Sequence, residues 1–174
     1  MTQPVLIAFG ANIDPLVHIR QGLQKLHQHL GIEAISKVYR TTPVGNLDQP
    51  DFLNGTVHLR KGLPPGQLRD LLRDIEAGQN RRRQADPNAP RTLDLDIALL
   101  GNMVVNNRTT TIPDPDILTR PFLAIPLAEL APTLIHPIEK VSLIEIAQRF
   151  STPPIGMVLD SEATRLIQSS IPPG

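Results

Sequence analysis

The chain has 174 residues, 40% hydrophobic and 20% charged, which suits one globular domain with a sizeable core and requires no second one. Seventeen basic residues balance seventeen acidic ones, so net charge offers no footing for nucleic acid or a membrane surface; the absence of cysteine excludes disulfides, thiolate metal sites and a cysteine nucleophile. The first apolar run has no basic leader and is too short for a signal segment or a membrane span, so a soluble, cytoplasmic protein is expected.

In chain order, residues 5–10 read as a buried strand ending in the turn Gly10-Ala11-Asn12. A helix follows, with Asp14 as N-cap, Pro15 in the first helical position, and an apolar stripe of Leu16, Ile19, Leu23, Leu26 and Leu30 that stops before Gly31. Residues 32–40 and 52–60 read as two strands joined by a loop rich in Pro, Gly and Asp. A second helix over about residues 66–79 carries Leu68, Leu71, Leu72 and Ile75 on one face. In the next stretch, PRTLDLDIALL, Leu93, Leu95, Ile97 and Leu99 alternate with Thr92, Asp94, Asp96 and Ala98, the period of a strand with one face in the core. A short hairpin through Gly101-Asn102 to Val104-Val105 is expected after it. The order β-α-β-β-α-β is that of a ferredoxin-like split βαβ sheet, an antiparallel α+β fold with helices packed on it. Further helices are expected near residues 119–130 and 142–150, the second opening with Ser142 and Glu145 at capping-box spacing. Residues 1–150 form the expected single domain, and the proline-containing tail over residues 151–174 is expected to wander over the surface.

The strand with two aspartates raises the chemical question. Carboxylates two residues apart on one strand face lie about 7 Å apart and repel by about 0.6 kcal/mol in water, or about 2.4 kcal/mol at an effective dielectric of 20. A partly buried pair therefore calls for cations. Arg81, Arg82, Arg83 and Arg91 stand just upstream, opposed only by Asp86. Paired carboxylates for hard cations beside guanidinium groups for phosphate oxygens are the equipment of phosphoryl transfer. Each signal alone also fits a solvated face, and the residues by themselves leave the two readings about even. The five histidines show no metal-ligand spacing and read as surface or loop residues, and no P-loop or dinucleotide fingerprint is present.

The segment IEAGQNRRRQADPNAP followed by RTLDLDI resembles the signature of the hydroxymethyl-dihydropterin pyrophosphokinases (HPPK) of folate synthesis. FGAN near the start, YRTTPVGNLDQPDFLNGTV in the middle and TRPFLAIPLAELAP later extend the resemblance to about residue 150. The resemblance implies transfer of pyrophosphate from ATP to the hydroxymethyl group of 6-hydroxymethyl-7,8-dihydropterin with release of AMP. It implies two Mg²⁺ ions on Asp94 and Asp96, and catalytic roles for Arg81, Arg91, Asp94 and Asp96. ATP would be held by Arg81, Arg83, Arg91, Ile97, Thr111 and Arg120. The pterin would lie between Phe52 and Phe122, bonded at its edge by Asn54 and lined by the Thr41, Val44 and Gly45 loop, which moves during turnover. Small molecules are thus the expected partners of a monomer.

Several positions depart from the family pattern. Asn80 stands for the usual Gly, Asn88 for a common Trp, Thr109 for an occasional Arg, and Asp114 for a His near the nucleotide. A carboxylate at Asp114 would repel phosphate oxygens. These departures keep open a non-catalytic pterin-binding or regulatory paralogue, and a phosphotransferase acting on another heterocyclic alcohol.

Overall fold

A computed structural model describes residues 3–173 of the chain. The elements are β1 (Val5–Ala11), α1 (Pro15–Leu30), β2 (Ile32–Ile35), β3 (Tyr39–Thr41), β4 (Phe52–Leu59), α2 (Pro65–Gly78), β5 (Asp94–Leu100), β6 (Val105–Asn106), β7 (Thr111–Ile112), a 3₁₀ turn (Pro115–Leu118), α3 (Pro121–Leu130), α4 (Leu143–Ala147), β8 (Met157–Leu159) and α5 (Ser161–Gln168). β1 lies between β4 and β5, antiparallel to both; β2 and β3 pair with the other edge of β4, and β8 adds to β3. Since β1-α1-β2 straddles β4, the expected split βαβ sheet is present.

The sheet separates two apolar layers. Val5, Ile7 and Phe9 of β1, with Leu93, Leu95 and Ile97, pack against the stripes of α1 and α2. Leu6, Ala98 and Leu99 pack on the other side against Leu123, Ala124 and Leu127 of α3 and against α4. The strict alternation expected along β5 therefore breaks. A register shift opposite Leu6 and Ile7 gives β5 one extra residue, after which Leu99 joins Ala98 on the α3 side and Leu100 turns back toward α1 and α2. This also explains why the polar face of the strand ends at Asp96: beyond it α3 covers the sheet.

Other expectations are corrected by local hydrogen bonds. The single strand expected over residues 32–40 is two, because the Ser36 hydroxyl accepts the Thr56 N–H at 2.9 Å in place of a ladder bond. No hairpin joins β5 to Val104-Val105; Asp114 N–H bonds the Ala98 carbonyl at that edge, and β6 pairs with β7 instead. Asp14 precedes α1 at φ 41° without a side-chain cap, whereas Ser142 and Glu145 form the full capping box of α4. His136 lies in a loop, one of the two expected settings, but not at the surface: it is 2% exposed, and its Nδ1 accepts the Ile138 and Glu139 N–H groups. Nor does the stretch after residue 151 wander. It supplies β8 and α5, and Ala163, Ile167 and Ile171 enter the core beside α1. No helix is long and apolar enough to cross a membrane among the described residues.

Candidate active site

The register of the sheet builds the floor of the site. Gly10 of β1 faces Asn54 on β4 and Asp94 on β5; one step further along the same face, Ala8 faces Thr56 and Asp96. Small residues on the middle strand thus leave a trough between a carboxamide and a pair of carboxylates. A Cβ on Gly10 would lie 2.5 Å from Asn54 Oδ1, so only glycine lets the carboxamide lie across β1. Asn54 is fixed at its other end, where Nδ2 donates to Thr41 Oγ1 at 2.7 Å.

Three hollows meet at the aspartates. A cavity of about 310 Å³ is lined by Gly10, Thr41, Val44, Phe52, Asn54, Phe122, Arg91, Arg120 and Asp94. Phe52 and Phe122 are both half-buried there, on β4 and on the first turn of α3. Arg91 leans on Phe52, its guanidinium carbon 5.7 Å from the ring centre. Gly45 is just behind the lining, its backbone against Asn88 at φ 81°. The second hollow, between Arg81, Arg83, Arg91, Asp94 and Asp96, opens toward the loop over residues 81–91. The third, about 240 Å³, holds Ile97 and Thr111 together with Arg73, Asp96, Thr109 and Asp114. Every residue singled out from the sequence thus falls in or beside one of three connected hollows.

The guanidinium groups are tied to carboxylates. Arg81 and Arg91 both reach Asp94, at 3.4 and 3.2 Å, and Arg81 also donates to the Leu93 carbonyl at 2.8 Å. Arg73 donates to Asp96 at 3.4 Å and to Glu76 at 2.7 Å, while Arg83 takes the other oxygen of Glu76 at 2.7 Å. Glu76 is 1% exposed, and its carboxylate also accepts the Leu95 N–H at 2.9 Å. It therefore fixes two arginines and the backbone between the aspartates at once.

Desolvation between the walls of the trough, partial because 41% of the side chain still meets solvent, pushes the Asp96 carboxyl up to about 7, helped by the Asp94 charge and opposed by Arg73. Burial likewise lifts Asp114 to about 6, with Asp116 and Asp94 adding to it, and raises Glu76 despite the Leu95 N–H and Arg73. Asp96 and Asp114 bind their protons more tightly folded than unfolded, so their contribution to stability is full below about pH 4 and is lost as pH rises through 6 to 7. In chelator, Asp96→Asn is accordingly expected to gain stability relative to the unsubstituted protein between pH 5 and pH 8. Urea midpoints at the two values check it; a constant difference would contradict the assignment.

The sequence reading missed Arg73, Glu76, Asn12 and Gln49. A signal for Glu76 existed, since it continues the row Leu68, Leu72 at spacing four on the buried face of α2. Asn12 had none beyond its place in FGAN. It is 3% exposed, accepts the Arg91 N–H at 2.8 Å, and donates to Gln49 Oε1 at 2.7 Å and to the Pro50 carbonyl at 3.0 Å. Gln49 in turn donates to the Asn88 carbonyl at 2.8 Å, so the loops over residues 42–51 and 80–92 are stitched together. Two departures also find reasons. Asn80 sits at φ 59° just past α2, where asparagine is the usual substitute for glycine, and Asp114 accepts the Asp116 N–H at 2.9 Å as the cap of the 3₁₀ turn.

The sequence profile of the 7,8-dihydro-6-hydroxymethylpterin-pyrophosphokinase (HPPK) family matches residues 6–132. The chain is 34% identical over 151 residues to the 2-amino-4-hydroxy-6-hydroxymethyldihydropteridine pyrophosphokinase of Haemophilus influenzae, covering 83% of this chain and 91% of that one. It is 37% identical over 133 residues to the Bacillus subtilis protein of the same name, covering 75% and 79%. Among solved structures, the Plasmodium falciparum HPPK-DHPS with pterin and p-hydroxybenzoate superposes with a TM-score of 0.68 at 13% identity, covering 86% of this chain and 43% of that longer one.

Proposed function

The chain belongs to the 7,8-dihydro-6-hydroxymethylpterin-pyrophosphokinase family, and on that footing we propose that it transfers pyrophosphate from ATP to the hydroxymethyl group of 6-hydroxymethyl-7,8-dihydropterin, releasing AMP. The observation that carries this reading is the cavity in which two phenyl rings and the Asn54 carboxamide stand one strand away from Asp94. A flat heterocycle suits the space between Phe52 and Phe122, and Asn54 offers both a donor and an acceptor to an amide-like edge. Thr41 holds Asn54 in place, while Val44 and Gly45 belong to the loop that closes over the ring.

The donor nucleotide takes the other two hollows, its phosphates reaching the side of the first cavity where Arg91 and Arg120 stand. Ile97 and Thr111 line the nucleoside side, and Arg81, Arg83, Arg91 and Arg120 address the phosphates. The donor set suits a hard cation, since two carboxylates share one strand face and the Asp94 charge raises its neighbour's proton affinity, a strain that a cation relieves. Asp94 and Asp96 would hold two Mg²⁺ ions, which when bound neutralise charge on the phosphate oxygens. Arg81 and Arg91, already within reach of Asp94, stabilise charge on the group in transit. Glu76 keeps Arg73 and Arg83 oriented, and all these groups come from one chain, so a monomer suffices.

Incubation with Mg-ATP and the reduced hydroxymethylpterin should yield AMP; absence of AMP at saturating substrates would end this reading. Phe122→Ala is expected to weaken pterin binding by about 0.5–1.5 kcal/mol beyond the lost contact area while nucleotide affinity stays put. Asn54→Ala should act the same way through an unpaired ring edge. Calorimetric titration separates the two ligands, and equal losses for both would misplace the pterin.

A further inference from the structure

Residues 156–160 lie outside the part of the chain that the family profile matches, yet they are bonded to the strand that feeds the cavity. β3 is three residues long and carries Thr41, the partner of Asn54; the chain continues directly into Thr42 and Val44 of the cavity wall. On its inner edge β3 is held by β4. On its outer edge it is held by β8, in the register Tyr39–Leu159, Arg40–Val158 and Thr41–Met157. The ladder runs past both ends of β3: Asp160 N–H bonds the Val38 carbonyl at 2.9 Å, and Thr42 N–H bonds the Gly156 carbonyl at 2.9 Å. An antiparallel ladder alternates, so Arg40 and Val158 are the hydrogen-bonded pair between these two. Side chains reinforce the seam, because Arg40 pairs with Asp160 at 2.8 Å and Thr164 Oγ1 accepts the Val38 N–H at 2.9 Å.

Gly156 is the closest approach. It sits at φ 71°, a conformation that side chains rarely adopt, and a Cβ there would lie 3.0 Å from Thr42 Oγ1. The backbone before β8 therefore abuts the first residue of the cavity loop.

We infer that residues 156–160 are a positioning element for the pterin side of the site: they hold Thr41 and Thr42 in place through the β3–β8 ladder and so set affinity for the heterocycle, not for the nucleotide. This inference rests on the cavity being the pterin site. The nucleotide-side groups are anchored elsewhere, on α2, β5 and β7, at the start of α3 and in the loop over residues 81–91; none of the bonds between β3 and β8 reaches them, and the cross-link between the two loops, from Gln49 to Asn88 and through Asn12 to Arg91, lies seven residues beyond Thr42.

The test uses the whole 174-residue chain and substitutions that leave the cavity lining untouched. Val158→Pro removes the central ladder donor at a residue 68% exposed, so no packed side chain is lost, and Val158→Thr at the same position keeps the donor. Gly156→Ala presses on Thr42 and strains the backbone whose carbonyl accepts the Thr42 N–H, while it removes no ladder donor. Calorimetry with the reduced hydroxymethylpterin and with a non-hydrolysable ATP analogue is expected to show pterin Kd raised at least fivefold in Val158→Pro and in Gly156→Ala, with the nucleotide Kd within twofold. Val158→Thr should match the parent protein for both ligands, and the pterin KM of the two impaired variants should rise with kcat largely kept. Pterin Kd within twofold of the parent in Gly156→Ala, or nucleotide affinity falling in step with pterin affinity, overturns the inference; Gly156→Ala alone decides if Val158→Pro does not fold. A parent protein that fails to bind the pterin overturns the cavity assignment beneath it, an outcome read before any variant is compared.

Discussion

Asp94→Ala and Asp96→Ala are each expected to lower turnover at least a hundredfold and to leave the protein folded. Charge that develops on a phosphate chain is stabilised in the transition state by fixed groups near it, and removing one such group commonly costs factors of this size. Asp94 also organises two arginines, so its loss frees Arg81 and Arg91 together. Neither side chain fills the core: Asp94 is 26% and Asp96 41% exposed, so truncation opens no interior void. Removing one carboxylate also relieves the repulsion that lifts the proton affinity of Asp96. Steady-state kinetics at saturating Mg²⁺ with circular dichroism as the folding control decide the matter. Turnover within tenfold of the parent would refute the role given to either residue.

Glu76→Ala has the largest expected effect on stability, a loss of about 3 kcal/mol. The substitution leaves the buried Leu95 N–H without an acceptor and deprives Arg73 and Arg83 of their shared partner. Both guanidiniums can still reach water, which keeps the figure below that of a fully enclosed pair. For a chain of this length the loss corresponds to a melting point about 6–12 °C lower. Glu76→Gln is the informative companion. It keeps an acceptor for Leu95 and, because burial already disfavours the charged form, should cost about 1 kcal/mol. A melting point for Glu76→Ala within 2 °C of the parent, by calorimetry, would remove Glu76 from the framework of the site.

The order of elements and the chemical pairing were legible in the sequence because they rest on local patterns. Period-two runs, the stripe of α1 and the spacing of Ser142 to Glu145 each state their structure within a few residues. Asp94 and Asp96 declared themselves by interrupting an apolar strand. What stayed hidden depends on contacts far along the chain. The register shift beside Ala98 follows from how β1 meets β5, and no pattern within LDLDIALL announces it. β8 is three residues after a run of prolines, and it is a strand only because β3 offers it a free edge. Asn12 gains its place from Gln49, Pro50 and Arg91, which lie 37 to 79 residues away. Asp114, read from sequence as a charge facing phosphate, is also the cap of a 3₁₀ turn, a role visible only once the turn is formed.

The bare middle of the trough bears on drug resistance. An inhibitor that rests its ring on Gly10 touches a position where the chain has no neutral escape, since even a methyl group there would come within 2.5 Å of Asn54 Oδ1. A substitution that expelled such a compound would displace the same carboxamide to which the proposed pterin edge is assigned. The Val44 and Asn88 side chains, which also line the cavity, can be shortened without any such clash. Compounds that draw their affinity from the glycine floor should therefore be harder to evade than those that draw it from the loops.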